Sequence, residues 1–248
     1  MGQSSGVLVG CDQNQEWLLF PWYCHIRKHN PEIPIAFGDL GMSKESRNWC
    51  ENRGILIPAS QIPSVPLQTM QERGWPYGGD RWLQDDLDPN HSQSLRAVLF
   101  RKPLLMKRSP FERTLYLDLD CQILGNLSSL FSMRLGRAKI ALRTANDFYE
   151  MKAMGTGQSM FIRSYNSGVV LFEKNSRLLD FWIFLLDREI HSFNNDDRLL
   201  SFAISNYGMR PTRLALKYNW LYHWGPNPKA VIYHWIGDAG KIAFRLSI

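Results

Sequence analysis

The chain has 248 residues, of which 44% are hydrophobic, and this apolar content excludes an intrinsically disordered protein. Lysine and arginine outnumber aspartate and glutamate by 29 to 23, so the formal net charge is +6. That charge suits an anionic ligand, an anionic membrane surface, nucleic acid or simply a solvated basic surface. The basic residues form no long run and no helix-turn-helix pattern is evident, so we predict no nucleic-acid partner.

Composition and local patterns also bear on location. No apolar run approaches the ~18 residues that a membrane-spanning helix needs, and the opening MGQSSGVLVG lacks the charged region of a secretory signal. The four cysteines form no CxxC pair, and Cys11 and Cys121 flank strand-like runs as small buried thiols. We therefore predict a reducing, cytoplasmic location, either free or bound peripherally at the inner membrane face. The closing GKIAFRLSI fits the start of a short amphipathic segment.

The first half of the chain alternates strand-like and helix-like segments. Strands are predicted at 6–11, 33–39 and 55–58, and helices at 16–29 and 43–54. Ser43 can cap the second helix and Gly54 can end it. This βαβαβ order with short connections predicts a parallel sheet with helices on both faces.

Residues 58–90 interrupt this rhythm with a stretch rich in Pro, Gly and Asp, which indicates a long loop excursion inside one α/β domain spanning 1–248. The next predicted elements are a helix at 91–108 and a strand ending near Asp118. After residue 136 the pattern becomes α+β, with strands near 138–143 and 167–172 and helices near 175–190 and 195–206. Short aromatic-rich segments follow to the end.

Two carboxylates, Asp118 and Asp120, close the apolar strand TLYLDL, and the following DCQILGNL is predicted to lead into a helix. A carboxylate in apolar surroundings is costly unless a cation meets it. In an open α/β sheet, ligands bind beyond the carboxyl ends of the strands. The pair therefore indicates a site for Mn²⁺ or Mg²⁺, which take hard oxygen ligands. The alternative is a pair of loop and helix-capping carboxylates that bind nothing.

The segment YLDLDCQILGNLSSLF resembles the DxD segment of nucleotide-sugar glycosyltransferases with the GT-A fold, and is most similar to glycosyltransferase family 8. That group includes glycogenin, galactinol synthase and bacterial lipopolysaccharide hexosyltransferases. Further segments follow in the family's order, so the resemblance covers most of the chain. It implies a mixed, mostly parallel sheet flanked by helices, with a nucleotide-binding half at 1–125 and a sugar and acceptor half at 126–248.

The resemblance implies a donor site and its metal. In VLVGCDQN, Asp12 and Asn14 would hold the nucleoside, and in FRKP, Lys102, with Arg101 as the next choice, would face the diphosphate. In YHWIGDAGK, similar to the family's HxxGxxK motif, His234 would join Asp118 and Asp120 as the third metal ligand. Gly237 would approach the diphosphate and Lys241 would neutralise it. Taken singly, His234 could also be a hydrogen-bonded core residue and Lys102 a solvated one.

The resemblance also implies a sugar site. YNSGVVLF looks like the family's FNSG segment, so Asn166 and Ser167 would line it, and NNDDRLL resembles the DQ segment, so Asp196 and Asp197 would lie near the transferred sugar. Asn166, Asp196 and Asp197 are thus the candidate catalytic residues. An oxocarbenium-like centre needs a carboxylate or amide beside it. The two aspartates could alternatively just begin a helix, where carboxylates favour the positive end.

The chain departs from the family's pattern at several positions. Gln15 replaces the usual base-stacking Tyr, for which Trp17 is a candidate substitute, and Asp197 replaces the Gln of the DQ segment, followed by Arg198. The final motif has one extra residue, because Lys241 lies seven rather than six positions after His234. These departures bear on the donor sugar and on the role of Lys241.

The implied activity is metal-dependent transfer of a hexose from a UDP-sugar to a glycan, glycolipid or protein, with retention of configuration. Two alternatives stay open: a catalytically degenerate module that binds a nucleotide sugar or carbohydrate, and a sugar nucleotidyltransferase. GCDQNQEW lacks the Gly-rich basic loop that a nucleotidyltransferase typically carries after its first strand. A last aromatic group is predicted to lie mostly in the core, or else to stack on acceptor sugars. Its members are Tyr218, Trp220, Tyr222, Trp224 and Trp235.

Overall fold

The computed structural model of the chain contains a seven-stranded sheet and a separate three-stranded sheet. It describes residues 4–64, 89–152, 159–190, 193, 195–208 and 210–247. The strands are β1 (Ser5–Cys11), β2 (Ile35–Asp39), β3 (Ile55–Ile57), β4 (Arg113–Leu117), β5 (Cys121–Ile123), β6 (Ile140–Lys152), β7 (Ser159–Glu173), β8 (Thr212–Arg213), β9 (Trp220–Leu221) and β10 (Ile232–His234). The helices are α1 (Leu19–His29), α2 (Lys44–Glu51), α3 (Pro89–Lys107), α4 (Ser128–Phe131), α5 (Arg177–Glu189), α6 (Asp196–Tyr207) and α7 (Gly237–Ser247).

The large sheet is mixed and mostly parallel, with the strand order β3-β2-β1-β4-β7-β6-β8. The first four strands in this order run parallel to one another. Strand β7 is antiparallel to both β4 and β6, while β8 runs parallel to β6. The sheet thus takes strands from both sides of residue 125. The division into two functional halves stays a prediction.

Helices cover both faces of the sheet, as the alternation of elements predicts. On β1, Leu8 belongs to one buried cluster with residues of α3, α5 and α6. Its neighbours Val7 and Val9 belong to the other, with residues of α1, α2, α4 and α7. Adjacent side chains of a strand point to opposite faces, so the continuous apolar run of β1 is what a strand buried on both sides requires.

Several predicted boundaries hold. Ser43 caps α2 by accepting a hydrogen bond from the N–H of Ser46 at 3.2 Å, and Gly54 lies just past the helix, where its N–H donates to Cys50 O. The helix predicted from residue 16 begins as a 3₁₀ turn, Glu16–Leu18, before α1. Most of the loop predicted over 58–90 lies outside the described residues. Cys11 and Cys121 are buried free thiols, as expected.

Three features differ from the expectations. The segment after Asp120 forms β5 before it reaches α4, because β5 finds a partner in β10, more than a hundred residues later. Strands β6 and β7 are far longer than predicted because they pair with each other along most of their length. The closing segment forms α7, whose buried Phe244 packs against Trp235. Only β5 depends on a strand that is remote in sequence, since β6 and β7 are consecutive strands and Trp235 lies nine residues before Phe244. Within the described ranges, no helix is long and apolar enough to cross a membrane.

Two glycines let α3 lie close against the sheet. Gly10 and Gly38 are register partners on β1 and β2. A Cβ atom would lie 2.8 Å from Leu105 Cδ2 if built on Gly10, and 2.3 Å from Leu105 Cδ1 if built on Gly38. Leu105 is fully buried, so it has no open space to move into. This close approach places Lys102, one turn earlier on α3, over the edge of the sheet.

Replacing Gly38 with alanine tests this packing. We expect Gly38→Ala to lower the free energy of unfolding by about 1–3 kcal/mol, since the added methyl group overpacks a filled core. Urea unfolding at equilibrium measures the change. Gly136→Ala is the matched control, because Gly136 is exposed and its Cβ would lie 3.6 Å from the nearest atom, Thr212 Oγ1. Equal stability of the two variants would contradict the packing argument.

Candidate active site

A cavity of about 720 Å³ opens beyond the carboxyl ends of β1 and β4. Its position agrees with the general location of ligand sites in open α/β sheets. Most of the residues that the sequence suggested for a site line it, whereas Asn14, Arg101 and Trp17 do not. Those that line it are Asp12, Lys102, Asp118, Asp120, Asn166, Ser167, Asp196, Asp197, His234, Gly237 and Lys241.

Asp118 stands where β4 ends, and backbone pairing fixes its place. Its N–H donates to Gly168 O at 2.8 Å, so the end of β4 is bound to the middle of β7. The hydroxyl of Tyr116 donates to Asp118 Oδ1 at 3.0 Å. Burial raises the pKa of Asp118, and the opposing charge of Lys102 offsets only part of that effect.

Lys102 is the buried cation that meets these carboxylates. Its Nζ lies 3.1 Å from Asp118 Oδ1 and 2.9 Å from Asp196 Oδ2, and it donates to Ser167 Oγ at 2.9 Å. Burial alone would lower the pKa of Lys102, but the charges of Asp118 and Asp196 raise it well above the usual value. The side chain is therefore held as an ammonium group. Arg101 instead donates to the carbonyl oxygens of Leu40 and Ile62.

Asp120 faces His234 across the small sheet. The antiparallel pair β5–β10 sets His234 opposite Cys121, and the N–H of Trp235 donates to Asp120 O at 2.9 Å. His234 Nε2 then lies 3.2 Å from Asp120 Oδ1, with Lys241 Nζ 3.9 Å from Oδ2. Burial alone would raise the pKa of Asp120, but the charge of His234 outweighs it and the pKa is lowered. Burial alone would lower the pKa of His234, but the charge of Asp120 raises it.

The segment Asn166-Ser167-Gly168 of β7 meets the start of α6. Ser167 donates its backbone N–H to Asp197 Oδ1 at 2.7 Å and its hydroxyl to Asp196 Oδ2 at 2.6 Å. Asn166 Nδ2 donates to Asp197 Oδ2 at 3.1 Å. Burial, and then the charge of Asp196, raise the pKa of Asp197 to about 6. The two aspartates do begin a helix, as the structural alternative proposed, and they also line the cavity.

The chemistry of this corner suits a divalent cation. Asp120 Oδ1 is buried, and among the described residues it faces His234 Nε2 at 3.2 Å, itself a potential metal ligand. A Cβ atom on Gly168 would lie 2.9 Å from both Asp118 Oδ2 and His234 Nε2, so any side chain there would fill the space that these two atoms face. Two carboxylates and one imidazole form a hard donor set.

Cys121 also lies in this corner, within 4.8 Å of the ligand atoms of Asp120 and His234. Its thiol donates to Gly168 O at 3.6 Å, and burial raises its pKa well above the usual value. Sulfur is a poor ligand for a hard cation, so by donor type the sequence-predicted Asp118, whose Oδ2 faces the same space beside Gly168, is the stronger candidate for a third ligand.

The first strand ends in a second unpartnered oxygen. Asn14 Nδ2 donates to Asp12 Oδ2 at 3.0 Å, whereas the buried Oδ1 of Asp12 meets no hydrogen-bond partner in the described parts of the chain. Asn14 thus orients Asp12 from outside the cavity lining. Gln15 lines the cavity. Trp17 is exposed and stacks with the guanidinium of Arg245, 5.5 Å from the ring centroid, so nothing supports it as a substitute for the missing Tyr.

Sequence reasoning missed two residues of this site. Tyr116 lies inside an apolar strand, where its hydroxyl carries no separate signal. Asn219 is fully buried and contacts both His234 and Asn166, although it stands in an aromatic stretch, KYNW, that resembles a core segment. The expectation that the neighbouring aromatic residues lie mostly in the core is wrong. Tyr218 is buried, while Trp220, Tyr222, Trp224 and Trp235 are partly exposed.

No family model and no curated protein matches the chain by sequence. Solved structures match it by fold. The apo form of the glycosyltransferase GlyE of Streptococcus pneumoniae gives a TM-score of 0.62 at 15% identity, covering 99% of this chain and 60% of GlyE. The galactosyltransferase LgtC, in complex with donor and acceptor sugar analogues, gives 0.59 at 14% identity, covering 94% of this chain and 88% of LgtC. Mouse xyloside xylosyltransferase 1 gives a TM-score of 0.54 at 11% identity, covering 96% of this chain and 98% of the xylosyltransferase.

These likenesses establish the fold. The chain has the GT-A fold, a mixed, mostly parallel sheet flanked by helices, and the resemblance inferred from the motifs is confirmed at that level. The chain spans 60% of the length of the GlyE chain.

Removing the positive charge of Lys102 should leave the neighbouring carboxylates without a compensating charge. We expect Lys102→Met to lower the free energy of unfolding by about 3–5 kcal/mol, because Asp118 and Asp196 keep their charge without a partner. Losing the lysine also raises the pKa of Asp118 further in the folded state. A carboxyl group with a raised folded pKa contributes stability at low pH that is lost as the pH rises. The deficit should therefore be larger near about pH 7 than near about pH 4.

Lys107→Met is the control for this substitution. Lys107 forms an ion pair with Asp180, and both side chains are largely exposed. An exposed pair contributes about 0–1 kcal/mol. Equilibrium unfolding of both variants across this pH range makes the comparison, and equal losses at every pH would show that Lys102 is not compensating buried charge.

Proposed function

We propose that the chain is a glycosyltransferase that moves a hexose from a UDP-sugar to an acceptor with the help of Mn²⁺ or Mg²⁺. One observation carries the proposal: the buried Asp120, His234 and Lys102 cluster with the partly buried Asp118 beside the Asp196–Asp197 pair, in a cavity at the carboxyl edge of a GT-A sheet. A site that binds and cleaves a sugar diphosphate needs a cationic corner next to carboxylates, and the cavity offers both.

The nucleotide would lie along β1 and α7. Asp12 Oδ1 is free to accept a hydrogen bond from the nucleoside, since its neighbour Oδ2 is already held by Asn14. Gly237 starts α7 with φ +77 and lines the cavity. The N–H groups and the positive end of a helix favour a phosphate there. Lys241, on the next turn of α7, adds a positive charge.

Asp118, Asp120 and His234 would hold the divalent cation. The ion would act as a Lewis acid and stabilise the diphosphate that leaves the sugar. Lys102 would hold Asp118 in place and add electrostatic stabilisation, because its charge is fixed before the substrate arrives. Ser167 forms hydrogen bonds with Lys102 and with both aspartates, and so fixes the positions of these charged groups relative to one another.

The sugar would lie against Asn166, Asp196 and Asp197. An ionised carboxylate at Asp197 stabilises positive charge that develops at the anomeric carbon, as carboxylates do in glycosidases. We propose retention of configuration, by double displacement or by front-face internal return. Asp197 has both oxygens held by hydrogen bonds from β7, so its orientation is fixed.

A glycan or glycolipid acceptor would approach past His223, which lines the cavity. The ring of His223 packs edge-on against Trp224 at 5.9 Å, and Trp224 packs against Trp220 at 5.0 Å. Both tryptophans are partly exposed, and such rings stack on the apolar faces of sugars. The basic surface would suit peripheral binding at the cytoplasmic membrane face.

A second candidate is a module that binds a nucleotide sugar without turning it over. Gln15 and Asp197, which replace the Tyr and Gln of the family's pattern, favour it. Release of UDP from a UDP-hexose in the presence of Mn²⁺ decides between the two.

Removing one carboxylate tests the donor site. We expect wild type to bind UDP at micromolar concentration with Mn²⁺ and far more weakly without it. Asp120→Asn keeps the shape but loses the charge, so UDP binding should fall about 10- to 100-fold with Mn²⁺ and change little without it. Isothermal titration calorimetry measures both.

Asp180→Asn is the control for this experiment. Asp180 is a carboxylate on α5, exposed and paired with Lys107, and does not line the cavity. Its variant should bind as wild type does. No UDP binding by the wild type under either condition would refute the UDP assignment, and undiminished binding by Asp120→Asn would refute the metal assignment.

The charge of Asp197 should set a pH dependence. Asp197 acts in its ionised form, and its pKa is raised to about 6, so kcat for UDP-hexose hydrolysis should rise with pH through this value. In Asp197→Asn, the new NH₂ group would face the NH₂ of Asn166, and kcat should fall by about 100-fold or more. UDP affinity should stay near that of wild type. A flat profile of kcat between about pH 5 and about pH 7.5 would contradict this role.

A further inference from the structure

Asn219 uses every polar atom of its side chain to join two parts of the site. It lies in the turn between a 3₁₀ segment, Leu216–Tyr218, and β9, and it is fully buried. Its Oδ1 lies 3.0 Å from His234 Nδ1, and its Nδ2 donates to Asn166 Oδ1 at 2.7 Å. An amide placed this way connects the candidate metal ligand with the candidate sugar site.

A backbone group fixes the direction of these hydrogen bonds. The N–H of Gly168 donates to Asn166 Oδ1 at 3.1 Å, and a backbone N–H can only donate. The oxygen of Asn166 must therefore face Gly168 and Asn219. If Asn219 were turned over, its own oxygen would face that oxygen at 2.7 Å, and two acceptors would repel each other.

The same logic places a proton on Nδ1 of His234, because Asn219 presents its oxygen to that nitrogen. Nε2 faces another acceptor, Asp120 Oδ1, 3.2 Å away, so a cation must lie between these two atoms. That cation is a proton in the free protein, and a metal ion could take its place while Nδ1 keeps its own proton. Nε2 is the nitrogen that lies near the Gly168 gap and faces the carboxylates. Partners of this kind orient metal-binding histidines and raise their basicity.

We propose that Asn219 is a positioning residue that keeps a proton on Nδ1 of His234 and so presents Nε2 to a divalent cation. The role of the cation rests on the proposed function, whereas the proton on Nδ1 follows from the contact with Asn219. The chain of donors continues from Asn166 Nδ2 to Asp197 Oδ2, at 3.1 Å. Asn219 thereby couples the position of His234 to that of Asp197, the carboxylate at the opposite side of the cavity.

Two substitutions separate the two bonds of Asn219. Asn219→Leu has a similar volume and removes both bonds. Asn219→Asp keeps an acceptor for His234 Nδ1 but sets an oxygen against Asn166 Oδ1. The control is Asn30→Leu, since Asn30 is also buried and makes two hydrogen bonds, to Gly125 O and from the N–H of Leu127, away from the cavity.

The experiment has two readouts. The first is whether Nδ1 of His234 carries a proton, from ¹⁵N NMR of histidine-labelled protein without metal and with Mg²⁺ and UDP; His234→Asn assigns the signal. The second is Mn²⁺ affinity, from the electron paramagnetic resonance of free Mn²⁺, with Mn²⁺ alone and with Mn²⁺ and UDP. Circular dichroism establishes that each variant is folded.

In wild type we expect Nδ1 to carry a proton both without metal and with Mg²⁺ and UDP. Asn219→Leu should lose this preference and weaken Mn²⁺ binding about 10- to 100-fold. Asn219→Asp should keep the proton on Nδ1 and the Mn²⁺ affinity but lower kcat for UDP-hexose hydrolysis, since Asn166 and Asp197 are displaced. Asn30→Leu should keep the wild-type protonation of Nδ1 and the wild-type Mn²⁺ affinity.

Three results would overturn the proposal. A wild-type ring whose proton is on Nε2 and not on Nδ1 would refute the hydrogen bond to Asn219, whatever the protein binds. Wild-type protonation of Nδ1 and wild-type Mn²⁺ affinity in a folded Asn219→Leu would refute the role of Asn219. The expected proton on Nδ1 without any Mn²⁺ binding in wild type would refute the role of the cation and the proposed metal dependence, while the assignment of the Nδ1 proton stands.

Discussion

Charge buried under the edge of a sheet is the constraint on which the rest of this structure depends. The carboxyl groups of Asp118, Asp120, Asp196 and Asp197 share one cavity, and an uncompensated charge there costs several kcal/mol. Lys102 lies between two of these groups and His234 faces a third. Polar neighbours such as Ser167 and Asn166 supply the remaining donors. Such a network is stable when complete, so its members are tied to one another more closely than to their own helices or strands.

Backbone pairing brings these side chains together. The antiparallel contact of β4 with β7 sets Asp118 against Gly168, and the contact of β5 with β10 sets His234 opposite Cys121. The start of α6 then meets β7 through Ser167. Both pairings are made by backbone groups, so the scaffold brings the charges together, and the completed network of charges then stabilises that scaffold. Small residues complete the fit, since Gly168 leaves room for the ligand atoms and Gly38 lets α3 deliver Lys102.

The cavity has two walls of different character. One carries the buried charges, and the other opens through His223 towards partly exposed aromatic rings. A charged wall suits the diphosphate of a donor, and an aromatic wall suits a sugar acceptor. The hydrogen bonds of Asn219 and Asn166 link His234, in the cationic corner, to Asp197, on the proposed sugar side. A module that only binds nucleotide sugars would have no evident use for this connection, which is why turnover is the favoured reading.

Much of this could be predicted from the sequence. The apolar runs and caps of the first half determined β1 to β3 and the helices between them, because short-range periodicity and turn chemistry decide such elements. The strand-closing Asp118 and Asp120, and the ordered motifs around Lys102, Asn166 and His234, indicated a GT-A fold and most of the polar residues that line the cavity. Only the tertiary structure revealed β5, the length of the β6–β7 pair and α7, because strand pairing and packing decide these elements, as when β5 pairs with the remote β10. The same holds for Tyr116 and Asn219, since a residue becomes part of a site through the hydrogen bonds that folding gives it.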